Sequence, residues 1–341
     1  MQSRRSVLAL AATSTAVLAA PAVHAQSLLP VRFSLDWAFQ GPQAAFLLAL
    51  ERGYFRREGL AVTMDRGFGS GDVPGKIAGG SYDVGVADLN PTIRMTLERP
   101  EIDLFSPFLI YDATALAVMT VRREGITRPA QLLDKTLAAP ESDSGRQLFP
   151  AFAKAAGIDA ARIRWQTVTP QLRETMLAQG RVNAITGFIT SGILSLRGLG
   201  VPANDIITMK YSDFGADFYA TSLITTRRFA EANPAAVTAL IRGLIRAQYD
   251  SLADPAGAIA VLRMREPLTD VALERERLEM SLNELTFTQH VRANGFGRVD
   301  TVRLQRGIDM VRDAFGIARP LSWGEVYDPR YLPPATDMKL A

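Results

Sequence analysis

The sequence predicts an α/β fold with two lobes, and three observations favour it. Strand patterns alternate with helical patterns up to about residue 225, which favours a mainly parallel sheet covered by helices. The chain has 341 residues, more than one compact core usually needs. The segment 80–88 is repeated weakly at 180–188, each time after a helix and before another, as two lobes of related design would give. Coincidence is the alternative explanation of this repeat.

The individual elements follow from apolar periodicity and from helix start and stop residues. Strands are predicted at 31–37, 60–64, 82–87, 136–139, 163–168, 182–187, 206–211 and 218–225. Helices are predicted between them at 43–52, 73–78, 91–98, 142–156 and 170–179. After Asn233 the pattern is almost entirely helical, at 234–252, 255–264, 270–294 and 300–315. The aromatic and proline-rich tail is expected to pack along the surface as an ordered strap.

The first 25 residues have the pattern of a secretory signal peptide. Arg4 and Arg5 give a basic start, an apolar run follows at 7–20, and Val23-His24-Ala25 is a small-x-Ala cleavage pattern. The apolar run is too short for a membrane anchor. We therefore expect export to the periplasm and cleavage after Ala25. The paired arginines resemble a twin-arginine signal, with valine where that motif prefers phenylalanine, so the export route stays open.

Composition argues against several classes of function. Cleavage would remove Arg4 and Arg5 and lower the formal charge from +3 to +1, and the basic residues are scattered, so nucleic acid is not an expected partner. The chain has no cysteine, which excludes disulfides, thiolate metal sites and cysteine nucleophiles. His290 is the one histidine after the predicted cleavage site. Because it lies in a helical pattern, we expect neither a metal site nor a Ser-His-Asp triad, and no cofactor.

The glycine-rich stretch 69–90 raises the question of a phosphate-binding loop. The Walker A pattern fails because Ser70 replaces its first glycine and Ile77 replaces its final hydroxyl residue. The dinucleotide fingerprint fails at Pro74, where a third glycine is needed. What remains is a turn followed by a helix that Asp72 can cap, with glycines that let a ligand approach the backbone. A plain tight turn is the alternative.

Several segments resemble one known family. They are Ser34-Leu35-Asp36-Trp37, the run ALERGYFRREGL at 49–60, GSYDVGVAD at 80–88, TRPAQLLDK at 127–135 and MLAQGRVNAI at 176–185. Together they resemble the periplasmic solute-binding proteins of ABC importers for thiamine-pyrimidine precursors, nitrate, sulfonates and taurine, the NMT1/THI5-like family. The resemblance covers nearly all of the chain after residue 25 and does not specify the ligand.

This resemblance implies the two-lobe periplasmic binding protein fold of type II, with a hinge between the lobes. We place the first lobe at 26–117 and 223–341, including the helical C-terminal part, and the second at 118–222. The family implies a monomer that closes on a small-molecule ligand and delivers it to an ABC permease and ATPase complex in the inner membrane. It implies no chemical reaction.

Candidate ligand-binding residues follow from the rule that ligands lie beyond the carboxyl ends of strands in open α/β sheets. From the first lobe they are Trp37, Phe39, Gln40, Ser70, Gly71, Asp72, Asp88 and Asn90. From the second lobe they are Ser142, Asp143, Ser144, Arg146, Phe188, Thr190, Tyr211, Asp213 and Phe214. Trp37 is predicted as an aromatic shelf, with a core tryptophan as the alternative. Asn90 has a helix cap as its alternative role.

The acidic residues among these candidates bear on the ligand class. Several carboxylates near the site would repel an oxyanion such as nitrate, so we expect a polar organic ligand with hydrogen-bond donors. A pyrimidine or another amine-bearing heterocycle fits, with an acidic group for Arg146; a sulfonate or aromatic acid is the other ligand class that the family resemblance allows. Pyrimidine synthases that resemble these binders are an alternative, although they use a cysteine-rich iron segment and a histidine. A ligand-sensing receptor is a third alternative.

Overall fold

A computed structural model describes residues 27–338, so the predicted signal peptide lies outside the described residues. The strands β1–β10 are Leu29–Ser34, Leu60–Asp65, Val84–Asp88, Leu104–Leu109, Leu116–Val121, Thr136–Ala139, Arg164–Thr167, Ala184–Phe188, Ile206–Lys210 and Thr221–Thr226. The helices α1–α15 are Gly41–Glu51, Tyr54–Arg57, Val73–Ala78, Leu89–Glu98, Ser144–Gln147, Phe149–Ala155, Arg173–Ala178, Ile189–Gly198, Arg227–Ala232, Pro234–Ala253, Pro255–Arg265, Val271–Met280, Gln289–Asn294, Thr301–Ala314 and Trp323–Val326.

These strands form two five-stranded sheets, and each sheet is the centre of one lobe. In the first lobe the strand order is β2-β1-β3-β10-β4, with β1 parallel to β2 and β3. In the second lobe the order is β7-β6-β8-β5-β9, with β6 parallel to β7 and β8. The two-lobe α/β fold is therefore confirmed, with sheets that are mixed and not wholly parallel.

Each sheet has one antiparallel strand, and this is the first strand that the chain forms after it crosses from the other lobe. Strand β5 follows the first connection, 110–115, and pairs antiparallel with β8 and β9. Strand β10 follows the second connection, 211–220, and pairs antiparallel with β3 and β4. The predicted crossing points, Ala117 and Leu223, lie inside β5 and β10, a few residues beyond these connections. The exact division into lobes stays a prediction.

Helix α1 shows how the sequence builds the first lobe. Its run GPQAAFLLALE is buried along nearly all of its length, and Pro42 stands in its first turn, where proline is tolerated. A helix that is apolar on every side must be covered on every side. It packs against α10, α11 and α12, which explains why the C-terminal helices belong beside this sheet.

Strands β4 and β5 were not predicted, because their residues are all buried. Each is apolar except for one hydroxyl residue, Ser106 in β4 and Thr120 in β5, so neither shows the alternation that marks a half-buried strand. The predicted helix 142–156 is divided into α5 and α6, since Pro150 lies in the first turn of α6 and cannot continue α5.

The predicted helix 270–294 is divided into α12, a π-helical segment at Ser281–Thr286, and α13. The Leu285 carbonyl accepts hydrogen bonds from the amides of Asp112 and Ala113 in the first connection. This contact ties the π-helical segment to the connection between the lobes, and it supplies a tertiary reason for the break in the helix.

The tail packs against the first lobe. Tyr327 forms a bridge with Ser106 in β4, and its hydroxyl donates to the Gly297 carbonyl at 2.7 Å. Among the helices of residues 27–338, none combines the length and the apolar character that crossing a membrane requires.

Candidate ligand-binding site

A small cavity lies where the two lobes meet, at the carboxyl ends of β1, β6 and β8. It holds about 30 Å³, enough for one or two water molecules. Its walls come from both lobes and from the first connection. The lining residues are Asp36, Trp37, Gln40, Pro42, Gln43, Gly69, Ser70, Tyr111, Asp143, Ser144, Arg173, Phe188, Thr190 and Ser191.

Asp36 provides the first lobe's carboxylate at this cavity. It follows β1 and is 4% exposed. Its two oxygens accept hydrogen bonds from Gln43 Nε2 at 3.0 Å and from Ser70 Oγ at 3.2 Å. Burial raises the pKa of Asp36, because the low-dielectric surroundings disfavour its charged form more than these two neutral donors stabilise it.

The second lobe contributes a buried ion-pair cluster around Arg173, which is 1% exposed. Its guanidinium donates to Asp143 at 2.9 Å and to one Glu174 oxygen at 3.0 and 2.6 Å. The same guanidinium lies 5.0 Å from the centre of the Trp37 ring, so it contacts the first lobe as well. Gly187 leaves room for it, since a Cβ there would lie 2.4 Å from Arg173 Nη1.

Asp143 is positioned by the helix start that the sequence indicated. It is the N-cap of α5 and accepts from the Arg146 amide at 2.9 Å. Thr186 Oγ1 also donates to it at 2.9 Å. Because Arg173 is shared between Asp143 and Glu174, it supplies one positive charge to two buried carboxylates.

A further carboxylate, Asp88, is buried behind the cavity and does not line it. One of its oxygens accepts from the backbone and side-chain nitrogens of Asn90 at 2.9 and 2.7 Å, and the other has no hydrogen-bond partner among the described residues. Burial raises the pKa of Asp88 to about 7, and the carboxylates of Asp36 and Asp143 add to the shift by repulsion. Asp88, and not Asn90, is therefore the N-cap of α4.

The glycine-rich turn that follows β2 is hydrogen-bonded to the second lobe. The Gly71 amide donates to the Ser142 carbonyl at 2.9 Å, and Ser142 Oγ donates to the Phe68 carbonyl at 2.8 Å. Gly69 has a φ of 146°, and a Cβ there would lie 2.4 Å from the Ser142 carbonyl oxygen. This turn therefore needs glycine because the other lobe approaches its backbone.

The structure brings seven of the predicted residues to the cavity wall: Trp37, Gln40, Ser70, Asp143, Ser144, Phe188 and Thr190. Two more, Gly71 and Ser142, form the contact between the lobes just described. Asp88 and Asn90 lie behind the cavity. Whether any of these residues binds a ligand stays a prediction.

The remaining predicted residues point elsewhere, each because it has another partner. Arg146 donates to the Ala139 carbonyl and Thr167 Oγ1, so the anion-binding role predicted for it has no place in this cavity. Asp72 pairs with Lys76 at 3.6 Å on the half-exposed face of α3, and makes no side-chain cap. Phe39 packs against the larger apolar core, to which both lobes contribute.

The predicted group after β9 also lies outside the cavity. Tyr211 is buried, stacks on Phe152 with ring centres 4.5 Å apart, and donates to the Gly145 carbonyl at 2.6 Å. Phe214 packs edge-on against the same Phe152 ring, and Asp213 is exposed. This segment packs against α5 and α6, so its role in this conformation is structural.

The cavity also contains residues that were not among the candidates: Asp36, Pro42, Gln43, Gly69, Tyr111, Arg173 and Ser191. Asp36 follows the first predicted strand and directly precedes Trp37, so the rule about strand ends could have predicted it as a site residue. Arg173 could not have been predicted, because the sequence of its helix is typical of a solvated surface helix. Within residues 27–338, no group of three or more acidic or histidine side chains is arranged to hold a metal ion.

The two mixed sheets, the two connections and the cavity between them define the class: a two-lobed protein with the periplasmic binding protein fold. The structure is similar to that of the alkanesulfonate-binding protein SsuA from Xanthomonas axonopodis pv. citri bound to MOPS. The TM-score is 0.68 at 17% identity, covering 89% of this chain and 100% of that one.

Residues 41–258 match the family described as NMT1/THI5 like, and the chain belongs to that family, which confirms the sequence resemblance. The riboflavin-binding protein RibY of Chloroflexus aurantiacus is 23% identical over 332 residues, covering 94% of this chain and 91% of that protein. The formylaminopyrimidine-binding protein of Halalkalibacterium halodurans is 23% identical over 262 residues, covering 76% and 78%.

Proposed function

We propose that this chain is the solute-binding protein of an ABC import system. It captures a small polar organic ligand between its lobes in the periplasm and delivers it to a permease and ATPase complex in the inner membrane. The observation that carries the proposal is the cavity where buried polar groups of both lobes converge, with Asp36 from one side and Asp143 and Arg173 from the other. Membership of the NMT1/THI5-like family, whose relatives above are named as binding proteins, supports it.

The charges around the cavity favour a ligand with hydrogen-bond donors. Within residues 27–338, Asp36 has no cationic partner, while Arg173 is divided between Asp143 and Glu174. An oxyanion at the inner cavity would meet more negative than positive charge. An aminopyrimidine or a related nitrogen heterocycle fits better, because its amino groups can donate to Asp36. Two relatives carry names that point to ligands of this kind.

The aromatic residues of the cavity wall support a planar ligand. Trp37 and Phe188 both line the cavity and come from opposite lobes. Flat aromatic faces on both sides favour a ring that inserts between them, and polar groups at the rim then fix its orientation.

Ligand entry requires the lobes to separate. The cavity of about 30 Å³ is roughly tenfold smaller than the pockets that hold organic ligands. The two connections, 110–115 and 211–220, are the segments about which such a hinge motion can occur.

Isothermal titration calorimetry tests this proposal. We expect 4-amino-5-hydroxymethyl-2-methylpyrimidine or riboflavin to bind, with nitrate and an alkanesulfonate binding at least about tenfold more weakly. Asp36→Asn should weaken binding about tenfold, the usual effect of losing a charge-assisted hydrogen bond. Asp213→Asn, at an exposed position outside the cavity, is the matched control and should leave affinity unchanged. Tight binding of the sulfonate or nitrate, with no heat from either heterocycle, would contradict the proposed ligand class.

A further inference from the structure

A second, larger cavity adjoins the first on the outer side of Trp37. It measures about 340 Å³ and shares Trp37, Gln40 and Ser191 with the inner cavity, so the indole forms a wall common to both. Residues of both lobes and of helix α12 line it. Its volume, unlike that of the inner cavity, is in the range of pockets that hold organic ligands.

Arg66 is the distinctive charged residue of this outer cavity. Its Nε atom is buried and has no hydrogen-bond partner in the described part of the chain. Its guanidinium lies 5.2 Å from the centre of the Phe68 ring. Between residues 27 and 338, no carboxylate lies within ion-pair distance of it. A buried donor without a partner is costly, and an acceptor brought by a ligand would remove that cost.

The other charged residues of the outer cavity are already engaged. Glu174 accepts two hydrogen bonds from Arg173. Glu274 accepts from Arg277 Nε at 3.0 Å and from the Gly41 amide at 2.6 Å. Arg277 also donates to the carbonyls of Thr190 and Ser191 at 2.7 and 2.8 Å. Arg66 is therefore the charged group here that a ligand could pair with.

We propose that the outer cavity is a second ligand subsite, in which Arg66 binds an oxyanion group of the same organic ligand whose donor-bearing ring contacts the inner cavity. The inference rests on the proposed function and deepens it. The ligand is then bipartite, with amino or imino donors at Asp36 and a phosphate, sulfonate or carboxylate at Arg66. The separation of charge along the cleft fixes which end of the ligand points inward.

This assignment replaces an expectation from the sequence. An acidic ligand group was expected to bind Arg146, but Arg146 lines neither cavity. Its guanidinium lies 5.2 Å from the Trp165 ring, away from the cleft. Arg66 takes the anion-binding role because it comes from the loop after β2, which faces the other lobe across the cleft.

Matched pairs of probes test the subsite: riboflavin with its 5′-phosphate, and 4-amino-5-hydroxymethyl-2-methylpyrimidine with its phosphate monoester. Calorimetry should show that the phosphorylated member of the better-binding pair binds about tenfold more tightly, as expected for one charge-assisted contact. Arg66→Gln should abolish that gain and leave the affinity for the neutral member within about twofold. Arg66→Lys should retain part of the gain.

Arg99→Gln is the control variant, because Arg99 is an exposed arginine just after α4 and its loss gives the same change in net charge. It should keep the full gain. The melting temperature of Arg66→Gln should equal that of the unmodified protein, since the Arg66 side chain makes no hydrogen bond within residues 27–338. A phosphorylated probe that binds no more tightly, or a gain that survives in Arg66→Gln, overturns the subsite while binding of the neutral probe upholds the proposed function. If no member of either pair binds, both are overturned.

Discussion

The guanidinium of Arg303, in α14, lies 3.4 Å from the carboxylate of Asp112, in the first connection between the lobes. The same guanidinium donates to Asp217 at 2.8 Å and lies 4.3 Å from the Tyr219 ring, both in the second connection. One arginine thus holds both connections together on the side where the C-terminal helices pack. Asp112 is 4% exposed, so its carboxylate is satisfied by this partner and by the Thr288 hydroxyl, which also donates to it.

Replacing Arg303 with glutamine should therefore destabilise the protein. The substitution leaves the Asp112 carboxylate buried without a cation, which should lower the free energy of unfolding by about 2 kcal/mol. Chemical denaturation followed by circular dichroism measures the change. In a double-mutant cycle, Arg303→Gln and Asp112→Asn should be strongly non-additive because they remove the same contact.

Asp217→Asn is the control for this cycle. The Asp217 side chain is half-exposed, so loss of its pair with Arg303 should cost less than about 1 kcal/mol. Equal costs for Asp217→Asn and Asp112→Asn would contradict the view that the buried contact is the important one.

Much of the fold could be predicted from local pattern, and the exceptions have a common cause. Strand β1 is half-buried and alternates, so Val31 and Phe33 identify it in the sequence. Strand β5 is buried along its whole length and lies between β8 and β9 in the second sheet, and that placement depends on partners far along the chain. Long-range pairing of this kind leaves no periodic signal in the strand itself.

The position of the cavity could be predicted from the sequence, but the arrangement of the charged side chains around it could not. The rule about strand ends selected Trp37, Ser70 and Asp143, which line the cavity between the lobes, while their role in ligand binding stays a prediction. It could not assign Arg173, whose charge is neutralised by partners in α5 and α7, nor could it tell that Arg146 turns away. The direction of a long side chain is set by tertiary contacts, which the sequence does not display.

Asp88 should make the stability of the protein depend on pH. Its pKa is raised to about 7 in the folded protein and is near 4 in the unfolded chain, so the folded state binds the proton more tightly. The stabilisation is complete below about pH 4 and is lost as pH rises towards 7. Relative to Asp88→Asn, the unmodified protein should lose roughly 2–4 kcal/mol of unfolding free energy between pH 4 and pH 8.

Denaturation at several pH values measures this difference. An asparagine oxygen can still accept from the Asn90 amide, so the cap of α4 is retained in the variant. Asp213→Asn, which removes an exposed carboxylate, should keep the loss of stability that Asp88 gives the unmodified protein as pH rises. Parallel stability curves for Asp88→Asn and the unmodified protein would show that Asp88 titrates as an ordinary carboxylate.

Gly69 should control how far the lobes can close. An alanine there would place its Cβ 2.4 Å from both the carbonyl oxygen and Oγ of Ser142, a distance at which one lobe must move away from the other. Gly69→Ala should therefore favour a more open arrangement, with a larger radius of gyration in small-angle X-ray scattering. Ligand affinity should fall about tenfold or more, because closure then carries an added cost.

Gly80→Ala separates this effect from backbone strain. Gly80 also has a positive φ, of 75°, but a Cβ there meets no atom within 4 Å. Both variants should lose about 1–2 kcal/mol of stability from the left-handed conformation, whereas Gly69→Ala alone should open the cleft and weaken binding. If Gly80→Ala weakened binding equally, the effect would come from strain in the first lobe, and the contact between Gly69 and Ser142 would have no part in closure.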